Sequence, residues 1–261
     1  MRYLRLFFLF LKASVLVELE YRANFVARAL VALFWVGVTL VSVSVFYAHT
    51  DAVGGWSYDQ ALVIIGLFTW MGGFIQAFLQ PNAQKIIEMV RQGTFDFVLT
   101  KPVDSQFLAS LRHPQAFNVI DMASGTAIIL LAFSRLGYTP DLLAAAQFAL
   151  MLAAAMLIVY SIWMVIATLS FWLVRVDNMA ELFNSVYDTG RFPVTTFQGV
   201  IRFALTFVVP IAFVTTFPAQ AVLGLLDPPV LLLAAAMGLG MFSFSALFWR
   251  YAIRNYSSAS S

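Results

Sequence analysis

Six apolar runs, each long enough to cross a bilayer, decide what this chain can become. A hydrocarbon core of about 30 Å takes roughly 20 residues of helix. In that medium only helices or closed barrels satisfy every backbone polar group. The runs cover approximately residues 26–47, 58–79, 116–133, 143–174, 197–217 and 229–249. Of the 261 residues, 62% are apolar and 11% charged, whereas soluble domains run near half apolar and about a quarter charged. No polar stretch is long enough to fold as a soluble domain of its own. The expected fold is all-α, an integral membrane protein of six transmembrane helices. It is read as one unit over 1–261, with an interfacial helix at 1–22, the bundle at 26–249 and a tail at 250–261.

Two runs are irregular. The fourth carries no charge from Leu142 to Val174, 33 residues, or about 50 Å as ideal helix, so it must tilt, break or project. The fifth has Pro210 at its centre, where a kink is expected. Pro218 is read as its end, and Pro228 with Pro229 opens the sixth. The apolar piece between them, 219–227, is too short to cross and suits a segment that dips into the membrane and returns.

Positive charge sets the orientation. Arg2, Arg5, Lys12, Arg22 and Arg28 precede or begin the first span. Lys85, Arg91, Lys101 and Arg112 lie between spans two and three, and Arg175, Arg191 and Arg202 surround the loop between four and five. Arg250 and Arg254 follow the sixth. With six alternating spans, fourteen of the fifteen Lys and Arg fall on one side and Arg135 alone on the other. The positive-inside rule then puts both termini in the cytoplasm. Arg2 and Arg5 followed by LFFLFL resemble a signal start, but that apolar run ends at Lys12 without a small-residue cleavage site. An interfacial helix fits better.

Chemistry of the enzymatic kind is scarce. No cysteine is present, which excludes disulfides, thiolate metal sites and a thiol nucleophile. A net charge of +2 gives no argument for nucleic acid. His49 and His113 fall on opposite sides of the membrane and cannot share a metal. No catalytic motif and no phosphate-binding P-loop occurs, so no catalytic or metal residue is expected and ATP is not held here by that motif. Asp121 and Arg202 sit near the cytoplasmic ends of spans three and five. They either pair within the bundle or snorkel to the interface.

The polar loops carry more pattern. Residues 81–104 hold Lys85, Glu88, Arg91, Asp96, Lys101 and Asp104. Ile86, Met89 and Val90 share one helical face and Lys85, Glu88 and Gln92 another, so a short amphipathic helix is expected, ended by Gly93. Lys101-Pro102 blocks continuation, and Asp104 can cap a second helix running toward Arg112. The next polar loop repeats the plan. Asn178 with Glu181 resembles a capping box, Met179, Leu182, Phe183, Val186 and Tyr187 form an apolar stripe, and Gly190 can close the helix. Such helices either rest on the membrane surface or present a docking face.

The stretch VRQGTFDFVLTKPVDSQF resembles the first cytoplasmic loop of ABC-2 type transporter permeases, closest to their small six-span branch, through Arg91, Gly93, Asp96, Leu99, Lys101 and Pro102. The later stretch GRFPVTTFQGVIRFALTFVVPIAFVTTFPAQAVLG resembles that branch's fifth span, with landmarks Pro193, Arg202, Pro210, Pro218 and Ala219. The resemblance implies a transmembrane permease subunit of an ATP-driven transporter, an exporter by family habit, in a bacterial plasma membrane. Its partners would be separately encoded ABC ATPase subunits, which bind ATP and Mg, and a second permease in a homodimer or heterodimer; no cofactor belongs to this chain. Residues 84–104 would contact the ATPase, with Lys85, Glu88, Arg91, Gly93, Asp96 and Lys101 as the docking set. The substrate is not encoded legibly. Aromatics of spans two and five (Phe68, Trp70, Phe74, Phe78, Phe203 and Phe207) either line the path or pack. The alternatives are a secondary carrier working without ATP, which lacks its midplane charges or inverted repeats, a membrane-embedded enzyme, which lacks a polar cluster, and a simple membrane anchor.

Overall fold

The computed structural model describes residues 2–20, 22–173 and 176–256. Arg175 and the end of the tail, both named above, lie outside these. Among the described residues there is no strand, only an isolated bridge between Val53 and Trp56. The helices are α1 Arg2–Glu20, α2 Arg22–Tyr47, α3 Tyr58–Phe74, α4 Gln80–Arg91, α5 Asp96–Leu99, α6 Ser105–Leu111, α7 Val119–Leu136, α8 Leu142–Leu169, α9 Asp177–Tyr187, α10 Gly199–Phe203, α11 Thr216–Val222 and α12 Pro228–Arg254. Five helical stretches are long and apolar enough to cross a membrane: Phe25–Tyr47, Tyr58–Arg91, Ala116–Leu136, Leu142–Leu169 and Pro228–Arg254.

The second run does not stop at residue 79. A π-helical turn, Ile75–Leu79, joins α3 to α4, giving 34 continuous helical residues. Pro81 explains the turn. It has no N–H for the carbonyl of Ala77 and its ring would collide with that carbonyl in a regular helix. The widened turn relieves the collision and leaves carbonyls free, each of which finds a donor. Gln115 N donates to Ala77 O at 2.8 Å, Asn118 Nδ2 to Gln76 O at 2.8 Å, and Asn82 Nδ2 to Phe78 O at 2.7 Å. The amphipathic helix expected after span two is therefore the far end of the span's own helix.

α3 and α7 pack tightly along their length. At Gly125 a β-carbon would collide with the backbone of Gly66 and Trp70, so glycine is required by close backbone approach. α8 starts where Asp141 accepts from Ala144 N at 2.7 Å and ends at Leu169, shorter than the 33-residue run allows. α12 opens at Pro228, as expected.

The fifth crossing is not where the hydropathy puts it. Contacts define two ends of the bundle. At one end, Phe95 meets Phe171, Trp249 and Tyr256, and Arg2 donates to Pro102 O; most Lys and Arg lie there, so it is the basic end. At the other, Arg135 pairs with Asp59 at 2.6 Å and stands over Tyr58. From Val176 at the basic end the chain climbs. Phe183 packs on Trp163, Tyr187 donates to Phe68 O at 2.6 Å, Phe192 meets Phe46, and Thr195 Oγ1 donates to Gly54 O at 2.7 Å in the far loop. α9 and the 3-10 turn that follows it, Asp188–Arg191, cover roughly 24 Å at about 1.5 and 2.0 Å per residue, and residues 192–195 carry the chain the rest of the way. This passage is too polar to register as an apolar run.

Residues 197–217 then form no continuous span. Gly199–Val208 and Ile211–Val222 meet at 65°. The pair begins beside Gly54 and ends where Gly224 approaches Tyr138 at the far end, so it is a re-entrant elbow with Pro210 in its bend. Pro218 does not close it but sits in the first turn of α11, where a missing N–H costs nothing. The piece 219–227 is no separate dip; its first half is the end of α11. Arg202 consequently lies toward the same end as Arg135, and Arg191 inside the bundle. The fourteen-to-one distribution is corrected, although the basic end keeps its excess.

Candidate functional site

The charged stretch at the basic end is held by apolar pegs. Phe95 and Val98 are buried, and Phe95 lies edge-on to Phe171 at 5.3 Å and to Trp249 at 5.7 Å. Gly93 ends α4 in the left-handed region at φ +68°, which turns the chain toward those rings. Asp104 caps α6 by accepting from Phe107 N at 2.8 Å. α1 braces the loop from outside, with Tyr3 edge-on to Phe107 at 4.8 Å. Ser14 Oγ also accepts from Ala116 N at 3.0 Å.

The structure places the six expected docking residues on α4, the turn after it and the α5 region. Lys85 and Glu88 pair at 2.8 Å, and Gln92 also donates to Glu88. Arg91 is exposed, Asp96 opens α5 half-buried, and Lys101 is exposed in the following turn. Phe97 was not in the expected set, yet its ring is 71% exposed beside Asp96. Its alternation with buried Phe95 and Val98 is the signal that sets it apart.

The second polar helix behaves differently. α9 has Val176 at its N-cap and no side-chain cap, so the Asn178–Glu181 capping box does not form; the helix starts one residue earlier and both lie inside it. Val176, Ala180, Phe183 and Tyr187 face the core, whereas Met179 and Leu182 of the expected stripe point outward. Gly190 does not end α9 but is buried in the 3-10 turn, where a β-carbon would meet Ile211 at 2.8 Å.

The polar face of α9 turns inward on a cavity of about 750 Å³ between α2, α3, α7 and α9. Asn184, Asp188 and Arg191, spaced as one helical face, supply one wall; Asp121 and Asn118 supply another, Gln76 and Gln80 a third. Asp188 and Arg191 pair at 2.8 Å, and the Arg191 guanidinium stands 5.1 Å over the Phe68 ring. Arg28 of α2 lies 5.7 Å over Phe117. Asp121 and Arg202 do not pair: Asp121 faces the cavity and Arg202 is exposed on α10. Of the aromatics expected along the path only Phe68 lines this cavity; Trp70, Phe74 and Phe78 contact each other, and Phe203 contacts Phe207 on the elbow. Sequence reasoning missed the polar wall because it placed Asp188 and Arg191 in a loop. Their spacing with Asn184 was the available signal.

Among the described residues no group of His, Asp or Glu is arranged to hold a metal. His49 and His113 lie at opposite ends of the bundle. A bundle of membrane-length helices around a polar cavity, with a braced charged loop at one end, is that of a multi-pass membrane protein. The family model described as ABC-2 family transporter protein matches residues 33–260, and the chain belongs to that family. Membership makes the chain a membrane transport component and implies partnering with ABC ATPase subunits in general. No curated protein and no solved structure matches it.

Proposed function

We propose that this chain is the permease subunit of an ATP-driven exporter in a bacterial plasma membrane. Its basic end and both termini face the cytoplasm. A second permease, identical or related, completes the path, and separate ATPase subunits carry ATP and Mg. The observation that carries the reading is the pegged loop at the basic end. Phe95 fixes it to Phe171, just past the end of α8, and to Trp249 of α12, and it carries Glu88, Arg91, Asp96, Phe97 and Lys101. A rigid loop tied to two spans transmits displacement, whereas a loose one absorbs it.

Binding of ATP would close the ATPase pair, and the difference in its grip on two permease conformations would drive the change, because a ligand indifferent to both shifts nothing. The α3–α4 rod leads from the docking surface to the cavity wall at Gln80, Gln76 and Thr69. Phe97 is suited to be the aromatic anchor of the contact, of the kind that dominates interface energies.

Co-purification with the cognate ABC ATPase tests the reading. Glu88→Arg, Asp96→Arg and Phe97→Asp should each weaken association by at least about tenfold, since a buried anchor or charge-reversed contact costs 2 kcal/mol or more by order of magnitude. ATPase association that survives all three would remove the loop from the interface.

A further inference from the structure

We propose that the cavity between α2, α3, α7 and α9 receives an amphiphile whose head carries one cationic and one anionic group. The inference rests on the permease reading, since it names what that path would carry. Its basis is a pair of opposite charges that line one cavity without meeting. Asp121 on α7 and Arg28 on α2 both face it. Among the described residues neither the Asp121 carboxylate nor Arg28 has an ion pair or hydrogen bond, and the Arg28 guanidinium stands over the face of Phe117.

Asp121 is half-buried and Arg28 exposed, and opposite charges near a membrane protein's surface still attract each other. Two that share a cavity and stay apart leave a gap that a ligand with both signs fills. The remaining charges support the same polarity. Asp188 and Arg191 neutralise each other at 2.8 Å, so the wall has no net bias toward a plain cation or anion. Arg191 Nε is buried without an acceptor, a further unmet demand for an anionic oxygen near the head.

The apolar part has its own walls. Val31, Trp35 and Val36 of α2 line the cavity, and only Val43 of that helix's described side chains is buried. α2 therefore stands largely clear of the bundle and gives an apolar body a route along its surface. The volume, about 750 Å³, lies within the range of roughly 300–1,000 Å³ for small-molecule sites. It suits a head with its adjoining chain segments.

The head chemistry could come from a membrane lipid or from a soluble zwitterionic amphiphile. Binding to the purified full-length permease in nanodiscs, read through Trp35 fluorescence with Trp35→Phe as the assignment control, separates these. Dioctanoyl phosphatidylethanolamine should bind at least about tenfold tighter than dioctanoyl phosphatidic acid, dioctylamine or octyl glucoside. A sulfobetaine detergent that binds as tightly assigns the site to the head alone, and one that binds weakly assigns it to the lipid; both results support a zwitterion. Asp121→Asn should weaken the ethanolamine lipid about tenfold and leave phosphatidic acid unchanged, whereas Arg28→Gln should weaken both. Equal wild-type affinity for the anionic, cationic or neutral probe overturns the proposal, as does wild-type affinity in both variants. The wild-type series decides even where a variant does not fold. ATPase co-purification of the wild type is scored separately, so its failure would remove the permease reading while leaving any ligand selectivity standing.

Discussion

His113 shows how a single residue acquires a role from its neighbours. Its backbone N–H donates to Asn82 Oδ1 at 2.8 Å, which ties the approach to α7 onto α4. Burial holds its imidazole below the ordinary histidine range, and Arg112 and Lys85 push the same way. The folded protein thus binds this proton less readily than the unfolded chain. Above the ordinary pKa of about 6.5 the two states agree. Below it the unfolded chain gains the proton first, and folding weakens until the folded pKa is reached. Thermal midpoints in detergent should therefore fall between pH 7 and 5, and His113→Gln should flatten part of that slope. An identical slope in the variant would remove His113 from the account. Phe95 and Phe97 make a companion case: two residues apart, one is a peg and the other a display, and only packing distinguishes them.

At the scale of elements the π-turn at Ile75–Leu79 is the most consequential device, because it lets one helix run through a proline. It survives by borrowing donors from the segment before α7, and Asn82 bridges both sides of the joint through Phe78 O and His113 N. Asn82 is buried, so Asn82→Ala leaves a carbonyl and an amide without partners, each worth about 1–3 kcal/mol. A stability loss of about 2 kcal/mol or more in chemical denaturation is the expected outcome. A loss below about 0.5 kcal/mol would show that water replaces the side chain without penalty. Much at this scale was legible in the sequence. Gly93, Asp104 and the Pro228 start each carry their own local physics, and all three act as read. The π-turn was not, because Pro81 looks like a terminator unless the distant donors of Gln115 and Asn118 are known. α9 was missed for a related reason. Its polar residues face a cavity that only the assembled bundle creates, so its composition resembles a surface loop.

For the whole molecule the question is which segment makes the fifth crossing, and the answer changes where function can sit. If 197–217 crossed, Arg202 would lie near the basic end and Asp188 with Arg191 would be loop charges. With α9 as the crossing, those charges enter the bundle and the elbow from Gly199 to Val222 stays at the far end. Hydropathy favours the first arrangement, since 197–217 is far more apolar than 176–195. Contacts favour the second, because Thr195 reaches Gly54 before that apolar run begins. The energetic sense is that polar side chains facing a shared cavity avoid lipid, whereas the elbow's two short arms satisfy their backbone within their own turns. The native chain has no cysteine, so single cysteines report topology without background. Lys101→Cys and Asn178→Cys should react with a membrane-impermeant maleimide only in inside-out vesicles, and Arg202→Cys only in intact cells. If Arg202→Cys labelled together with Lys101→Cys, the elbow would be a broken span and the polar face of α9 would lie outside the membrane. The cavity would then lose Asn184, Asp188 and Arg191 as a wall and keep Asp121 and Arg28 as its charged groups.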